Sequence, residues 1–210
     1  MNFGLTDEQE LIRRTVRDFA ESRVAPVAEE LDREARFPYE LVAELAELGL
    51  MGLPIPEEYG GAGGDTVSYA IAIEELTRID SSVAITVAAH TSLGTMPIYL
   101  FGNEEQKQEW LPRLASGEAL AAFGLTEPDA GSDAGATRTK AELSDGEWVI
   151  DGSKIFITNA GTDISACVAI TALTAEGEIS NLIVPNGTAG YEISPPMEKL
   201  GWRASDTREL

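Results

Sequence analysis

Near Ala121 the sequence changes its period, and that change restricts the chain to two kinds of structure in series. Before it, apolar residues recur every three or four positions; after it, short runs alternate apolar and polar residues and stop at turn signals. This is the pattern of an α+β chain, an antiparallel helical bundle followed by an antiparallel β-sheet or small barrel. The border falls between Gly117 and Leu120, so the expected domains are residues 1–118 and 119–210.

The helical half carries its own start and stop signals. Thr6-Asp7-Glu8-Gln9 spells a capping box, and Ile12, Val16, Phe19, Val24, Val27 and Leu31 follow on one face. Pro26 interrupts that face and should kink or split the helix. Tyr39 to Leu48 reads as a second helix ended by Gly49, and the Gly- and Pro-rich run from Gly52 to Gly64 as a long loop. Helical spacing resumes at Val67 and continues to about Ala89. Within it Val83 to Ala89 is apolar all round, which suits the middle of a bundle. Two more helices are expected, over Leu93 to Phe101 and from an Asn103 cap to the Ser116-Gly117 stop.

In the second half, Thr137 to Leu143 and Glu147 to Ile150 flank Ser144-Asp145-Gly146 as a hairpin. Ser153 to Thr158, Ala166 to Ala172, Asn181 to Val184 and Tyr191 to Ser194 should supply further strands. No βαβ alternation is present, so a dinucleotide-binding doubly wound fold is not expected.

Charge and composition remove several function classes. A formal charge of −21, spread over both halves, argues against nucleic acid or an anionic membrane as partner. One Cys and one His cannot build a zinc site, and no metal is expected. The start of the chain is polar and acidic, unlike a signal peptide, and no apolar stretch approaches the roughly 20 residues of a membrane helix. A reduced, cytoplasmic setting follows. The nucleotide fingerprints G-x-G-x-x-G and the P-loop, and the hydrolase signatures H-E-x-x-H, G-x-S-x-G and S-x-x-K, are all absent.

One segment stands out, Phe123-Gly124-Leu125-Thr126-Glu127-Pro128-Asp129-Ala130-Gly131-Ser132-Asp133-Ala134-Gly135. A strand ends at Leu125-Thr126 and a loop of small residues follows. Exposed N–H groups around Gly131-Ser132 could cradle a phosphate or a polar ring edge, although composition alone favours a plain β-turn loop.

Gly124 to Ala136 resembles, position for position, the first signature of the acyl-CoA dehydrogenase family. The resemblance extends along the chain. Thr6 to Pro38, with Asp32 and Phe37-Pro38, looks like the family's opening helix, and Leu50 to Asp65 like its Pro-Glu-Glu-Tyr-Gly-Gly loop. Gln106-Lys107, Leu111-Pro112 and Gly117 resemble the stretch before the signature. Lys154-Ile155-Phe156-Ile157-Thr158-Asn159 resembles the flavin-covering strand, and Leu200-Gly201 with Arg203-Ala204-Ser205-Asp206-Thr207 the element closing the β domain.

The resemblance implies FAD as cofactor and α,β-dehydrogenation of an acyl-CoA thioester to the trans-2-enoyl-CoA. It places Phe123, Leu125 and Thr126 at the isoalloxazine edge, Gly131 and Ser132 at the pyrophosphate, and Phe156 and Thr158 against the ring. Ser132 would also touch the acyl-CoA, and His90, Thr95 and Met96 would border the acyl cavity, unless His90 is a satisfied core histidine. Arg203 would meet either an anionic group of CoA or a neighbouring carboxylate. An electron-transfer flavoprotein is the implied electron acceptor, and a homo-oligomer the implied assembly of the full-length protein. The family's catalytic Glu lies in a C-terminal helical domain that this stretch does not include, so no catalytic base is expected here; Glu74, Glu75 and Glu127 read as solvated or structural. Two other functions fit the same motifs, an acyl-CoA oxidase and a non-catalytic flavin- or acyl-CoA-binding module.

Overall fold

The computed structural model describes residues 4–210. The chain forms two compact units, Met1–Ala119 with Glu198–Ser205, and Leu120–Met197 with Asp206–Leu210.

In the helical unit the local signals act where they stand. Thr6 accepts from the Gln9 N–H and Gln9 closes the box on α1 (Asp7–Phe19), which buries Val16 and Phe19. A π-helical turn, Ala20–Val24, extends α1 up to the break around Pro26, whose missing N–H ends the ladder; α2 (Ala28–Glu34) then starts afresh. After α3 (Tyr39–Glu47) the chain turns through Gly49 in the left-handed region. The loop that follows is not a surface loop: Met51, Leu53, Ile55 and Tyr59 are all buried.

The expected single helix from Val67 to Ala89 is two. α4 (Thr66–Thr77) ends near Arg78, and Asp80 caps α5 (Ser81–Ala88) by accepting from the Ser82 N–H. An N-cap carboxylate inside an apolar run was strong enough to restart the helix. Conversely α5 and α6 (Met96–Phe101) are joined without a gap by a π-helical stretch, Ala89–Thr95, where a separate helix was expected. Together Ser81–Phe101 is a 21-residue helical run whose most apolar window has a mean hydropathy of 1.3, long and apolar enough to cross a membrane by length and composition. The apolar residues within it are not continuous, because His90-Thr91-Ser92 interrupts them. Of its most apolar window 56% is buried in the fold. A second capping box, Asn103 with Gln106, opens α7 (Glu104–Ala115).

In the second unit β1 (Leu120–Gly124), β5 (Ser165–Ala175), β2 (Lys140–Ser144) and β3 (Glu147–Asp151) lie in that order, with β6 (Glu178–Pro185) also on β5. Helices before strands is the expected α+β order, but the sheet is mixed rather than antiparallel throughout, and it is not closed into a barrel. β1 runs parallel to β5, and β2 meets β5 in parallel at Lys140–Leu173; the β2–β3 and β5–β6 pairs are antiparallel. Parallel neighbours require a long crossover, and local alternation carries no trace of that pairing. The predicted hairpin forms, with Asp145 (φ 53°) and Gly146 (φ 87°) in a left-handed turn.

Two expected strands shrink or vanish. Only Ile157–Thr158 (β4) of the Ser153 to Thr158 run is a strand, paired with β7 (Thr207–Arg208), because Phe156 leaves the extended region at φ 64°. Tyr191 to Ser194 forms no strand; Pro195 and Pro196, which lack N–H donors, follow at once. The core of this unit gathers Ala122, Ile157, Val168, Ile170 and Val184, with Leu182, Tyr191 and Leu210 packed against it.

Candidate functional site

The signature segment leaves β1 at Gly124 and is fastened by one buried side chain, Lys154. A Cβ on Gly124 would stand 3.0 Å from Ile170 Cγ2 and 3.1 Å from Lys154 Cγ, so glycine makes room for the lysine stem. The Lys154 ammonium, its side chain 3% exposed, donates to Leu125 O (3.2 Å), Glu127 Oε1 (2.8 Å) and Thr171 Oγ1 (2.9 Å). Its backbone exchanges two hydrogen bonds with Leu210, and the next N–H, of Ile155, donates to Thr126 O at 2.8 Å.

Glu127 in turn holds the far end of the loop. Its carboxylate accepts from the backbone N–H groups of Arg138 (2.7 Å) and Thr139 (3.0 Å). Burial pushes this carboxyl up, but hydrogen bonds from Lys154, Thr139 and the Arg138 backbone outweigh it and bring it down to about 2. Burial also draws Lys154 below its usual range, and the Glu127 charge opposes that. The pair is ionised and each charge is saturated with hydrogen bonds, the condition under which burying ions is tolerable. In the sequence Glu127 reads as solvated or structural, and Lys154 stands only as part of a strand-like run. Their contact spans 27 residues, and the one local signal was a lysine in a run otherwise rich in apolar residues.

The other nominated residues of this unit fall into two groups. Phe123, Leu125, Thr126 and Thr158 are half-buried, and the Thr126 hydroxyl and N–H have no partner among the described residues. Phe156 is 63% exposed at a backbone conformation that bulky residues avoid. The Thr126–Ile155 bond holds these positions on adjoining segments. Gly131 and Ser132 are exposed on the loop, and a Cβ at Gly131 would meet nothing within 4 Å. Free donors beside an outward aromatic ring and an open glycine turn suit a flat heterocycle with a polar edge and an anionic tail.

The residues nominated on the helical unit are differently placed. His90 and Thr95 are fully buried, and Met96 is half-buried. His90 Nε2 meets Leu114 O at 3.0 Å; a carbonyl only accepts, so Nε2 carries the hydrogen. Burial lowers this imidazole to about 4, leaving it neutral. Thr95 Oγ1 donates to His90 O at 2.9 Å. This is the satisfied core histidine of the two readings. Arg203 stands beside a neighbouring carboxylate, its Nε 4.0 Å from Asp32 Oδ2, and its guanidinium also donates to the carbonyls of Asp32 (2.8 Å) and Arg33 (3.2 Å), at the end of α2.

A cavity of about 640 Å³ in the sheet unit is lined by none of the nominated residues. Trp148, Val149, Tyr191 and Leu210 are among its walls, and the Thr139 and Tyr191 hydroxyls there lack hydrogen-bond partners among the described residues.

Comparison with known proteins connects this geometry to a family. Residues 6–118 match the acyl-CoA dehydrogenase N-terminal domain, and residues 122–210 its middle domain. A probable acyl-CoA dehydrogenase, YngJ, of Bacillus subtilis is 51% identical over 215 residues, covering 100% of this chain and 56% of its own. Butyryl-CoA dehydrogenase from Megasphaera elsdenii superposes with a TM-score of 0.93 at 40% identity, over 100% of this chain and 56% of that one. An acyl-CoA dehydrogenase from Bacillus anthracis, solved in complex with FAD, gives 0.89 at 41% identity, over 98% and 36%. The chain thus spans about half the length of the relatives it matches. With both of its units matched in order and nearly end to end, the chain belongs to the acyl-CoA dehydrogenase family.

Proposed function

We propose that this chain is the flavin- and substrate-binding part of an FAD-dependent acyl-CoA dehydrogenase that converts a saturated acyl-CoA into its trans-2-enoyl product. The observation that carries the reading is the unpartnered Thr126 N–H and hydroxyl beside the exposed Phe156 ring, on the segment with the family's signature. When bound, FAD supplies the two-electron acceptor for the hydride leaving the substrate β-carbon. Thr126 would anchor the ring edge, Phe156 would cover its face and keep water away, and Thr158 would add a hydroxyl. Gly131 and Ser132 would hold the pyrophosphate, with Ser132 also meeting the acyl-CoA.

The proton-abstracting carboxylate comes from outside this stretch. Two of the buried carboxylates here are poor bases: Glu127 is held down as described, and hydrogen bonds from Arg17 and Arg78 hold Glu75 below its usual range despite burial. A third, Asp206, is taken up by the Gly161 N–H and Arg208. A base for an α-proton needs the opposite tuning. The family likeness supports an electron-transfer flavoprotein as the acceptor and a homo-oligomer as the assembled state.

In the intact protein, Thr126→Ala with Ser132→Ala should lower FAD occupancy severalfold after purification, read from flavin absorbance. Unchanged occupancy contradicts the assignment of these residues. The 210-residue chain alone, given FAD and acyl-CoA, should show no flavin bleaching, and turnover by it would contradict the external base.

A further inference from the structure

We infer that Lys154 is a positioning residue whose charge strengthens the hydrogen bond that the Leu125–Thr126 peptide offers to a flavin edge. The inference rests on the flavin reading above and adds a residue which that reading leaves without a role.

Leu125 O and the Thr126 N–H are the two ends of one trans peptide plane, so they point in opposite directions. Lys154 takes hold of the carbonyl end at 3.2 Å. A cation at a carbonyl oxygen draws electron density from the amide and makes its N–H a stronger donor, and the effect is largest where water is excluded. The ammonium is 3% exposed, and its three acceptors match its three hydrogens. The N–H at the other end has no partner among the described residues. The same lysine aligns the ring-covering segment, because its own backbone is pinned to Leu210 and the next residue's N–H to Thr126 O. One side chain therefore sets both the strength and the direction of the donor.

A stronger donor favours the electron-rich, reduced ring over the oxidised one, so the charge should raise the flavin's reduction potential as well as tighten binding. A residue that merely filled space would do neither. The test uses the intact protein, with FAD affinity from fluorescence quenching, midpoint potential by dye equilibration and fold by circular dichroism. Lys154→Met should bind FAD about tenfold more weakly. It should also lower the preference for the reduced over the oxidised ring about tenfold, equivalent to about 30 mV for a two-electron couple.

Lys154→Met combined with Glu127→Gln leaves no unpaired buried charge and should show the same potential shift. A folded variant of either kind with wild-type potential overturns the inference. Unmodified protein gives an independent check: FAD should protect the Thr126 amide from hydrogen exchange, and an unprotected amide overturns the inference. Wild-type protein that binds no FAD would overturn the functional reading itself, a distinguishable result.

Discussion

Glu75 in the helical unit and Glu127 in the sheet unit are carboxylates of nearly equal burial, 4% and 5% side-chain exposure, with opposite surroundings. Glu75 is gripped by Arg17 (2.7 and 3.0 Å) and Arg78 (2.9 Å), whose side chains remain 43% and 45% exposed. Glu127 faces an ammonium that is as buried as itself. In the first case the cations can return to water if the pair is broken; in the second neither partner can. Glu75 thus staples helices, whereas Glu127 and Lys154 fix the backbone of a loop that carries exposed donors. The chain has placed its costliest electrostatics beside its candidate site.

The sharpest way to break that comparison is to remove one partner from each. Lys154→Ala should destabilise the chain by about 3–5 kcal/mol, since it strands a buried carboxylate. Glu75→Gln should cost only about 1–2 kcal/mol, because its arginines resolvate. Urea denaturation of both variants checks this, and equal losses would erase the distinction drawn between the two sites.

Acid should separate the units as well. His90 has a folded value of about 4, below its usual 6.5, so the unfolded chain takes up the proton first. Its stability contribution is complete above pH 6.5 and is lost as pH falls through 4, roughly 3 kcal/mol in all. For Glu127, with a folded value of about 2 against 4.5, the loss comes lower, between pH 4.5 and 2. His90→Gln should flatten the pH dependence between 6.5 and 4 and leave the lower limb intact. A slope unchanged by that substitution would mean that His90 is not the group responsible.

The smallest effect concerns Phe156. Glycine relieves its left-handed backbone, and little burial is lost from a side chain 63% exposed. Phe156→Gly should therefore leave stability unchanged or raise it by about 1 kcal/mol while weakening FAD binding. A variant that loses stability would show that the ring is a packing residue.

The same contrast explains what could be read beforehand. Thr6 with Gln9 and Asn103 with Gln106 lie three residues apart, and Asp145-Gly146 is a turn by itself; such signals are complete within the sequence. The parallel β1–β5 pairing has no local signature, so the sheet was expected to be antiparallel. At the candidate site, motif likeness nominates Thr126 and Phe156, but not what holds them. Lys154 reaches partners 17 to 29 residues away, and a bulky residue gives no warning of a left-handed conformation.

The central claim is that FAD lies against the edge formed by Thr126 and Phe156. A crystal structure of the intact protein grown with FAD tests it most directly. The account predicts the ring within hydrogen-bond distance of Thr126 and stacked on Phe156, with the pyrophosphate by Gly131 and Ser132. A flavin bound elsewhere, or Thr126 facing only water beside a bound flavin, would contradict it.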